Sequence, residues 1–383
     1  MQHTMPKHIG DYNKNRMLSI LRDKGQCSRV ELSQLLGISA TAVTKNVLHL
    51  INNGIIRECG TKYSSMGRKP ILIELCGDFC YVIGADIVGG TVKAALADLN
   101  GNIVKQHEEP ILRSKDAHAV LSQLICALRK VIAKARVPAE KIWVAAIGTP
   151  GIFDPVAGKS QFTFFLEDWE GIDIRSRVSE SLSIETLIEN DVNLDVIGES
   201  WKGVGKDYEN ILYVKLGQGL AARIVLENKL IRGEHKMAGE IGYMLPGMPS
   251  RNVINYENML CNDTVSREYR KMTNTSSANT ISDICELADK GDPAARKLIH
   301  NLLDRFAVVL LNSAAVLDTQ VIILGGDACS FGEREIAMLK HRIEKHLPLI
   351  QNIIPSKLNK NACLYGAIKI GLDRVEERII NVL

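Results

Sequence analysis

The sequence predicts an α/β protein in which a small N-terminal domain of helices and one β-hairpin precedes a larger, duplicated α/β domain. Three observations predict this fold class: two short capped helices joined at a glycine, a strand pair directly after them, and one plan of strands that occurs twice, about 130 residues apart. The predicted boundary gives domains of residues 1–76 and 77–383, the second with two α/β lobes.

A short helix near the N-terminus has clear start and stop signals. Ser28 and Glu31 form the S-x-x-E pattern of a capping box. Gly37 tolerates the left-handed turn that ends many helices. An earlier helix is predicted over residues 13–24, whereas residues 1–12 are polar and are predicted to lack regular structure.

A second helix is predicted between its cap, Ser39, and Gly54. Apolar side chains at helical spacing form one buried stripe: Val43, Val47, Leu50 and Ile51. Small, hydroxyl and basic side chains share the other face at its N-terminal end: Ala40, Thr41, Thr44 and Lys45. Two helices joined at a glycine, the second with such a face, are typical of a helix-turn-helix that enters a DNA major groove. The alternative is an ordinary helical pair on a larger protein.

Two strands are predicted directly after this helix pair, over residues 55–59 and 70–75. A helix-turn-helix followed by a β-hairpin is a winged helix. The hairpin loop carries basic side chains beside Gly67, which suits phosphates or a narrow minor groove: Lys62, Arg68 and Lys69. The candidate DNA-binding residues are therefore Arg29, Ala40, Thr41, Thr44, Lys45, Arg68 and Lys69.

The charge distribution favours DNA binding by the first domain over a merely solvated basic face. Residues 1–75 contain 11 Lys or Arg and 5 Asp or Glu, so their net charge is +6, whereas the rest of the chain has a net charge of −3. The total of +3 therefore combines a basic N-terminal part with a mildly acidic remainder.

The whole chain fits a cytoplasmic protein. Its 383 residues are 46% hydrophobic, enough for a large core, but no run of 18 apolar residues predicts a membrane span and no apolar N-terminal segment predicts a signal peptide. The nine cysteines are odd in number and scattered, which favours reduced thiols. Cys76 and Cys80 lack the partners that a metal site needs.

Residues 82–104 and 212–232 follow the same plan: strand, glycine turn, strand, tight turn, strand. This repetition predicts a duplicated α/β domain with a ligand cleft between the copies. The glycine turns are suited to cradling a phosphate, but they are as often simply tight hairpins.

Polar groups follow two other predicted strands. The strand over residues 142–151 ends in Gly-Thr-Pro-Gly, at the edge where open α/β sheets bind ligands. The strand over residues 186–189 ends at Asn190 and Asp191. The Asp191 carboxylate can accept hydrogen bonds from a hydroxylated ligand or take its proton, or it can cap the following helix.

Taken together, these segments resemble the ROK family (repressor, open reading frame, kinase), in which a winged helix is joined to a duplicated sugar-kinase-like domain of the actin and hexokinase type. The resemblance covers nearly the whole chain and rests on segments in a fixed order: the pattern of residues 27–75 with Gly67-Arg68-Lys69-Pro70, then residues 148–151, Glu189-Asn190-Asp191-Val192-Asn193, Gly239-Glu240-Ile241-Gly242 and Gly325-Gly326. By this resemblance, Asn190, Asp191, Glu240 and Glu257 bind the hydroxyls of a sugar, and Asp191 has the position of the kinase general base.

The sequence departs from the family pattern at both phosphate loops. The first reads Asp-x-Gly-Gly-Thr in the family, but an alignment of Asp86 with that aspartate places Gly89-Gly90-Thr91 one residue late, which reverses side-chain faces in a hairpin. The second reads Gly-Thr-Gly-Ile-Gly in the family and Gly217-Gln218-Gly219-Leu220-Ala221 here. Because phosphoryl transfer depends on positioning and charge stabilisation, these changes predict that no residue is catalytic and that Asp191 is a residual base position.

The family's zinc ligands are also altered. Tyr243 stands where the family has a histidine and keeps a hydroxyl contact to the sugar, and the Cys-x-Cys-Gly-x-x-Gly-Cys run is absent. Four-coordinate structural zinc needs those thiolates and the imidazole. The sequence therefore predicts neither a metal nor a cofactor.

Three hypotheses follow. The favoured one is a sugar-responsive repressor of carbohydrate-metabolism genes, whose partners are a palindromic operator DNA and a sugar or sugar phosphate that favours one conformation. By resemblance it is a homodimer or homotetramer, and the lack of an apolar run of 18 residues predicts that it does not bind membranes. The second is an ATP-dependent sugar kinase, alone or combined with regulation. The third is a constitutive regulator with an inactive pocket, suggested by Tyr243 and by Phe164 and Phe165, where many relatives have an asparagine.

Overall fold

The computed structural model describes residues 6–61, 70–88, 90–112, 116–154, 159–161, 169, 172–247, 254–275, 277–347 and 352–382. The chain divides into two compact units. Unit 1 comprises Met1–Ile147, Phe165–Ile188 and Ala367–Leu383, and unit 2 comprises Gly148–Phe164 and Glu189–Gly366. The predicted domain boundary between residues 76 and 77 lies within unit 1 and stays a prediction.

Twelve α-helices and fifteen strands occur among the described residues, and 3-10 turns join some of them. In chain order they are α1 Pro6–Lys24, β1 Gln26–Ser28, α2 Arg29–Leu36, α3 Ala40–Asn52, β2 Ile56–Thr61, β3 Ile71–Leu75, β4 Tyr81–Val88, β5 Thr91–Asp98, β6 Ile103–Pro110, α4 Ala117–Ala135, β7 Ile142–Thr149, β8 Ile152–Asp154, β9 Lys159–Gln161, α5 Ile174–Leu182, β10 Glu185–Asn190, α6 Asp191–Lys202, β11 Ile211–Leu216, β12 Leu220–Leu226, β13 Lys229–Ile231, α7 Tyr256–Leu260, α8 Asn262–Thr273, α9 Ile281–Asp289, α10 Pro293–Leu317, β14 Val321–Gly326, α11 Glu333–Glu344, β15 Asn352–Pro355 and α12 Ala362–Val382.

The N-terminal helices form as their capping residues predict. The Ser28 side chain accepts a hydrogen bond from the Glu31 N–H, the Glu31 carboxylate accepts one from the Ser28 N–H, and Gly37 ends α2 at φ 67°. The prediction that residues 1–12 lack structure is wrong for residues 6–12, since α1 begins at Pro6. Proline suits that position because N–H groups in the first turn of a helix have no helical acceptor.

The strands of the N-terminal part form a three-stranded sheet in the order β1-β3-β2. The prediction found β2 and β3 but missed β1, whose Cys27 lies opposite Ile73. A strand of three residues carries too little alternation to be recognised from sequence. The loop between β2 and β3, with Lys62, Arg68 and Lys69, lies outside the described residues.

The predicted duplication is present as two five-stranded sheets of matching order, β10-β7-β4-β5-β6 and β15-β14-β11-β12-β13. In each, three consecutive antiparallel strands form one side, and their tight turns lie at Gly101 (φ 79°) and at Glu227-Asn228 (φ 50° and 61°). None of the described helices is long and apolar enough to cross a bilayer.

The β4–β5 hairpin has the register that the sequence comparison predicts. Asp86 lies opposite Lys93, and Val88 lies opposite Thr91, with two residues between them in the sequence. Directly opposite residues share a face of a sheet, so Asp86 and Thr91 lie on the same face. In an Asp-x-Gly-Gly-Thr hairpin with the same turn, the aspartate and the threonine would lie on opposite faces.

A group of polar and charged side chains, in which Arg22 and Glu376 are buried, joins α1 to α12 within unit 1. We call it the α1–α12 cluster, and it consists of Ser19, Arg22, Lys369, Asp373 and Glu376. Arg22 Nη1 lies 2.9 Å from Glu376 Oε1, and Arg22 Nη2 lies 3.1 Å from Asp373 Oδ1. The Ser19 hydroxyl donates to Glu376 Oε2 at 2.8 Å, and Lys369 Nζ lies 2.7 Å from Asp373. Only 1% of the Arg22 side chain and 5% of the Glu376 side chain are exposed.

The pKa of Glu376 makes stability depend on pH in a way that Glu376→Gln should remove. Burial raises this pKa from 4.5 to about 7, although Arg22, Ser19 and Lys369 oppose the increase, while Asp373 adds to it. Between these values the native state holds more protons than the unfolded state, so stability falls as pH rises, by up to about 1.4 kcal/mol per pH unit. The free energy of unfolding of the wild type relative to Glu376→Gln should therefore decrease between pH 5 and 7 and level off above. Urea denaturation of both proteins at pH 5, 6, 7 and 8 measures this, and a constant difference would contradict it.

Candidate functional site

The N-terminal half of α3 presents the predicted DNA-binding face. Ala40, Thr41, Thr44 and Lys45 are all exposed. The opposite face is buried through Val43, Asn46, Val47 and Leu50, so three of the four predicted core residues are confirmed, and Ile51 is half-buried. The Ser39 side chain accepts from the Ala42 N–H at 3.2 Å, and the Thr44 hydroxyl donates to the Ala40 carbonyl at 2.8 Å, so the first turn is held rigidly.

The other predicted DNA-binding residues are placed differently. Arg29 lies in the first turn of α2 and donates from Nη2 to Glu58 Oε1 at 2.8 Å. In this arrangement Arg29 connects α2 to β2. Arg68 and Lys69 lie outside the described residues.

Two of the predicted sugar-binding residues, Asn190 and Asp191, lie at the N-terminus of α6, in unit 2. Asn190, the last residue of β10, caps this helix: its side-chain oxygen accepts from the N–H groups of Val192 and Asn193, both at 3.0 Å. The alternative interpretation of Asp191 as the helix cap is therefore wrong. Asp191 is the first helical residue, 7% exposed, where the positive end of the helix dipole favours a carboxylate.

Lys215 joins two carboxylates of α6. Its Nζ lies 2.9 Å from Asp191 Oδ2 and 2.8 Å from Asp195 Oδ2. Burial raises the pKa of Asp195, and the ammonium of Lys215 opposes this increase. The charge of Asp191 is thus balanced by a side chain of the protein, and Asp191 is held in place to accept hydrogen bonds.

Arg223 joins two other predicted sugar-binding residues. Its Nη2 donates to Asn190 Oδ1 at 3.1 Å and to Glu240 Oε1 at 2.9 Å. Arg223 lies opposite Tyr213, and Lys215 lies opposite Ala221, so both basic side chains lie on the face of the β11–β12 hairpin that packs on α6. Asn190, Asp191 and Glu240 are therefore brought together by two cations on one sheet face.

Glu257 and Tyr243 lie beside Glu240. The Glu257 carboxylate accepts from the Leu220 N–H at 3.2 Å, and its pKa is raised by burial and by the negative charge of Glu240. Tyr243 is 46% exposed. The pKa of its hydroxyl is raised mainly by burial and also by the negative charges of Glu257 and Glu240. A hydroxyl that stays protonated can donate to a ligand and also accept from it.

A carboxylate faces the turn that replaces the second phosphate loop. A Cβ built on Gly217 would lie 3.0 Å from Asp327 Oδ2. The side chains of Asn262 and Ser282 both donate to the Asp327 carboxylate at 2.7 Å. The Asp327 carboxylate is therefore held close to this turn by two side-chain donors.

Lys215, Arg223 and Asp327 were not found by sequence reasoning. One signal was available for the first two, because a lysine and an arginine within otherwise apolar strands need buried partners. Carboxylates at i, i+4 and i+8 of one helix, such as Asp191, Asp195 and Glu199, are the natural partners. No such signal existed for Asp327, whose partners come from separate helices. Among the described residues, no three His, Cys, Asp or Glu side chains form a group that could hold a metal ion.

Comparison with known proteins agrees with this fold. The profile of the ROK family matches residues 82–374, and a winged helix-turn-helix DNA-binding profile matches residues 11–57. The xylose repressor of Caldicellulosiruptor bescii is 26% identical over 96% of both chains. The glucokinase of Thermotoga maritima is 22% identical over 77% of this chain and 98% of its own.

A solved structure has the same architecture over its full length. The crystal structure of a ROK family transcriptional regulator, a homolog of the E. coli MLC protein, superposes with a TM-score of 0.82 at 20% identity, over 98% of this chain and 99% of the other. The family profile covers well over half of the chain, and the N-terminal winged helix precedes it. The chain therefore belongs to the ROK family and combines a winged helix-turn-helix with a sugar-kinase-like α/β domain.

Proposed function

We propose that this protein is a sugar-responsive transcriptional repressor that binds operator DNA through α3 and the wing, and a sugar or sugar phosphate at the N-terminus of α6. The observation that carries the proposal is the presence of both parts in one chain that aligns end to end with a xylose repressor. The glucokinase match leaves out about a quarter of the chain, and the kinase domain alone gives no reason for a DNA-binding helix.

The sugar site supplies both acceptors and donors for hydroxyl groups. Asp191 and Glu240 accept hydrogen bonds, and Arg223 donates them. A sugar that enters the site must replace contacts within the pairs Lys215–Asp191 and Arg223–Glu240 with contacts to its own hydroxyls. Its binding therefore shifts the position of α6 relative to the β11–β12 hairpin. A ligand that binds one such arrangement more tightly changes its population, and this changes the affinity for DNA.

A palindromic operator follows if two copies of the chain bind together. Each copy carries one recognition helix, and a two-fold dimer places two such helices on successive major grooves of one DNA face. We propose a homodimer or a homotetramer of such dimers, acting in the cytoplasm where the operator lies. We propose that the protein binds one kind of small molecule, the sugar effector, and that it uses no cofactor.

The test is the affinity for DNA with and without sugar. Fluorescence anisotropy with the duplex upstream of the protein's own gene, at about 150 mM salt, should give specific binding that D-xylose, D-glucose or N-acetyl-D-glucosamine changes at least tenfold. The same sugar should raise the melting temperature of the protein. The proposal is contradicted if no duplex is preferred over a scrambled one, or if every sugar leaves the affinity unchanged.

We further infer that the bound sugar is not phosphorylated. Asp327 places a carboxylate at the turn after β11, and the β4–β5 register puts Asp86 and Thr91 on one face of the sheet, so both positions are unsuited to holding ATP phosphates. Incubation with Mg-ATP and the same sugars should therefore release no ADP above the rate seen without sugar. Steady sugar-dependent ADP release would instead support a bifunctional kinase and regulator.

A further inference from the structure

The C-terminal helix α12 begins in direct contact with the helix that carries the sugar-binding residues. A Cβ built on Gly366 would lie 2.0 Å from the carbonyl oxygen of Leu194, and one built on Gly198 would lie 2.1 Å from the carbonyl oxygen of Ala362. The backbones of α6 and α12 therefore touch without intervening side chains, within unit 2. Because no side chain can absorb a displacement there, a shift of α6 must move the first turn of α12.

The remainder of α12 belongs to unit 1, where one of its faces packs on the first five-stranded sheet. Gly371 lies against β4, where a Cβ on it would be 3.4 Å from the nearest side chain. Arg374 Nε donates to Glu185 Oε1 at 2.6 Å, and the Arg378 guanidinium lies 4.7 Å from the centre of the Trp143 ring. These contacts fix the direction of the helix along the sheet.

The opposite face of α12 carries the α1–α12 cluster. At about 100° per residue, Lys369, Asp373 and Glu376 fall on the side of the helix away from Gly371 and Arg378. They contact Ser19 and Arg22 of α1, and α1 packs in the core of the winged helix through buried residues such as Met17 and Leu21. A single continuous helix thus touches α6 at its start and the DNA-binding part farther along.

We propose that the α1–α12 cluster is the coupling contact through which α12 transmits a change at the sugar site to the winged helix. This inference rests on the proposed function. The free energy of a buried ion pair depends strongly on geometry. If the two groups move apart by about 1–2 Å, the direct contact is lost and two poorly solvated charges are left. The cluster therefore favours the placement of α1 relative to α12 in which these pairs are in contact. If α12 shifts, α1 must move as well to keep the contacts.

The alternative is that the cluster only fastens the two helices and has no part in the sugar response. Measurement of coupling, rather than stability, distinguishes these roles. Coupling is defined as the ratio of the dissociation constants for DNA with and without sugar. A merely structural contact leaves this ratio unchanged as long as both ligands still bind.

The test uses the full-length chain and a double variant, Arg22→Met with Glu376→Leu, which removes both charges and leaves Asp373 paired with Lys369. Sugar affinity is measured by calorimetry with whichever of D-xylose, D-glucose or N-acetyl-D-glucosamine the wild type binds, and DNA affinity by anisotropy. We expect the sugar affinity of the double variant to stay within twofold of wild type and its sugar-free DNA affinity to stay within threefold. The effect of sugar on DNA affinity should instead be reduced at least tenfold, so that the coupling ratio approaches one.

Two further variants keep the test informative if the double variant does not fold. Ser19→Ala removes only the hydrogen bond to Glu376 and should reduce coupling two- to threefold. Lys14→Met is the matched control, because it also removes a cation from α1, but its partner, Asp11, lies on the same helix. It should leave coupling unchanged.

The outcomes separate the two proposals. If the wild type shows coupling, an unchanged ratio in the double variant would overturn the inference and leave the proposed function intact. If the double variant does not fold, an unchanged ratio in Ser19→Ala would do the same. If the wild type binds none of the sugars, or binds one without any change in DNA affinity, the proposed function fails and the inference fails with it.

Discussion

Lys45→Glu is expected to reduce the affinity for operator DNA by at least about 100-fold at 150 mM salt, and Lys45→Ala by about tenfold. Lys45 is exposed near the start of α3, on the face that carries Thr41 and Thr44. If this helix lies in the major groove, an ammonium there meets a base edge or a phosphate, and a carboxylate in its place is repelled by the DNA backbone. Anisotropy titrations with the specific and a scrambled duplex measure the change.

The matched control is Lys290→Glu, an equal change of charge at an exposed residue of unit 2. It should change DNA affinity by less than threefold. A reduction for the specific duplex alone identifies a base contact of Lys45, and an equal reduction for both duplexes identifies a phosphate contact. If Lys45→Glu melts like the wild type and still binds normally, α3 is not the recognition helix.

Asp191→Ala is expected to weaken sugar binding by about 10- to 150-fold, the range for removal of one charged hydrogen-bond acceptor, while DNA affinity without sugar changes by less than twofold. The fold should tolerate the change because Lys215 keeps its second partner, Asp195, at 2.8 Å. Calorimetry gives the sugar affinity, and anisotropy with and without sugar gives the response.

Two controls accompany this variant. Asp191→Asn keeps the shape and one acceptor oxygen and should lose less affinity than Asp191→Ala. Asp289→Ala removes an exposed carboxylate at the end of α9 and should behave as wild type. Wild-type sugar affinity in a well-folded Asp191→Ala protein would show that the sugar binds elsewhere.

Much of the fold follows from short-range signals in the sequence. The capping box at Ser28 and Glu31, the end of α2 at Gly37, and the full extent of α4 were predictable because caps and apolar periodicity act within one or two turns of chain. The duplicated sheets were predictable because the strand plan is repeated with its turn residues.

The contacts that sequence reasoning missed join parts of the chain that are distant in sequence. Lys215 lies 24 residues from Asp191, and Arg22 lies 351 residues from Asp373. Periodicity predicts which face of an element is apolar, but it does not predict which element covers that face. The five residues predicted to bind sugar came from the family resemblance, whereas Lys215 and Arg223 were not part of the pattern on which that prediction rests.

The lysine shared by two carboxylates of α6 also constrains how this site can change by mutation. Replacement of Lys215 alone would leave Asp191 and Asp195 facing each other without a cation, at a cost of about 3–5 kcal/mol, as for other buried pairs that lose one partner. If Asp195 alone is replaced, Lys215 keeps Asp191 as its partner, and this contact offsets part of the lost stability. A substitution of Lys215 should therefore be tolerated only together with a substitution of Asp191 or Asp195, so that this part of the site changes by paired rather than single mutations.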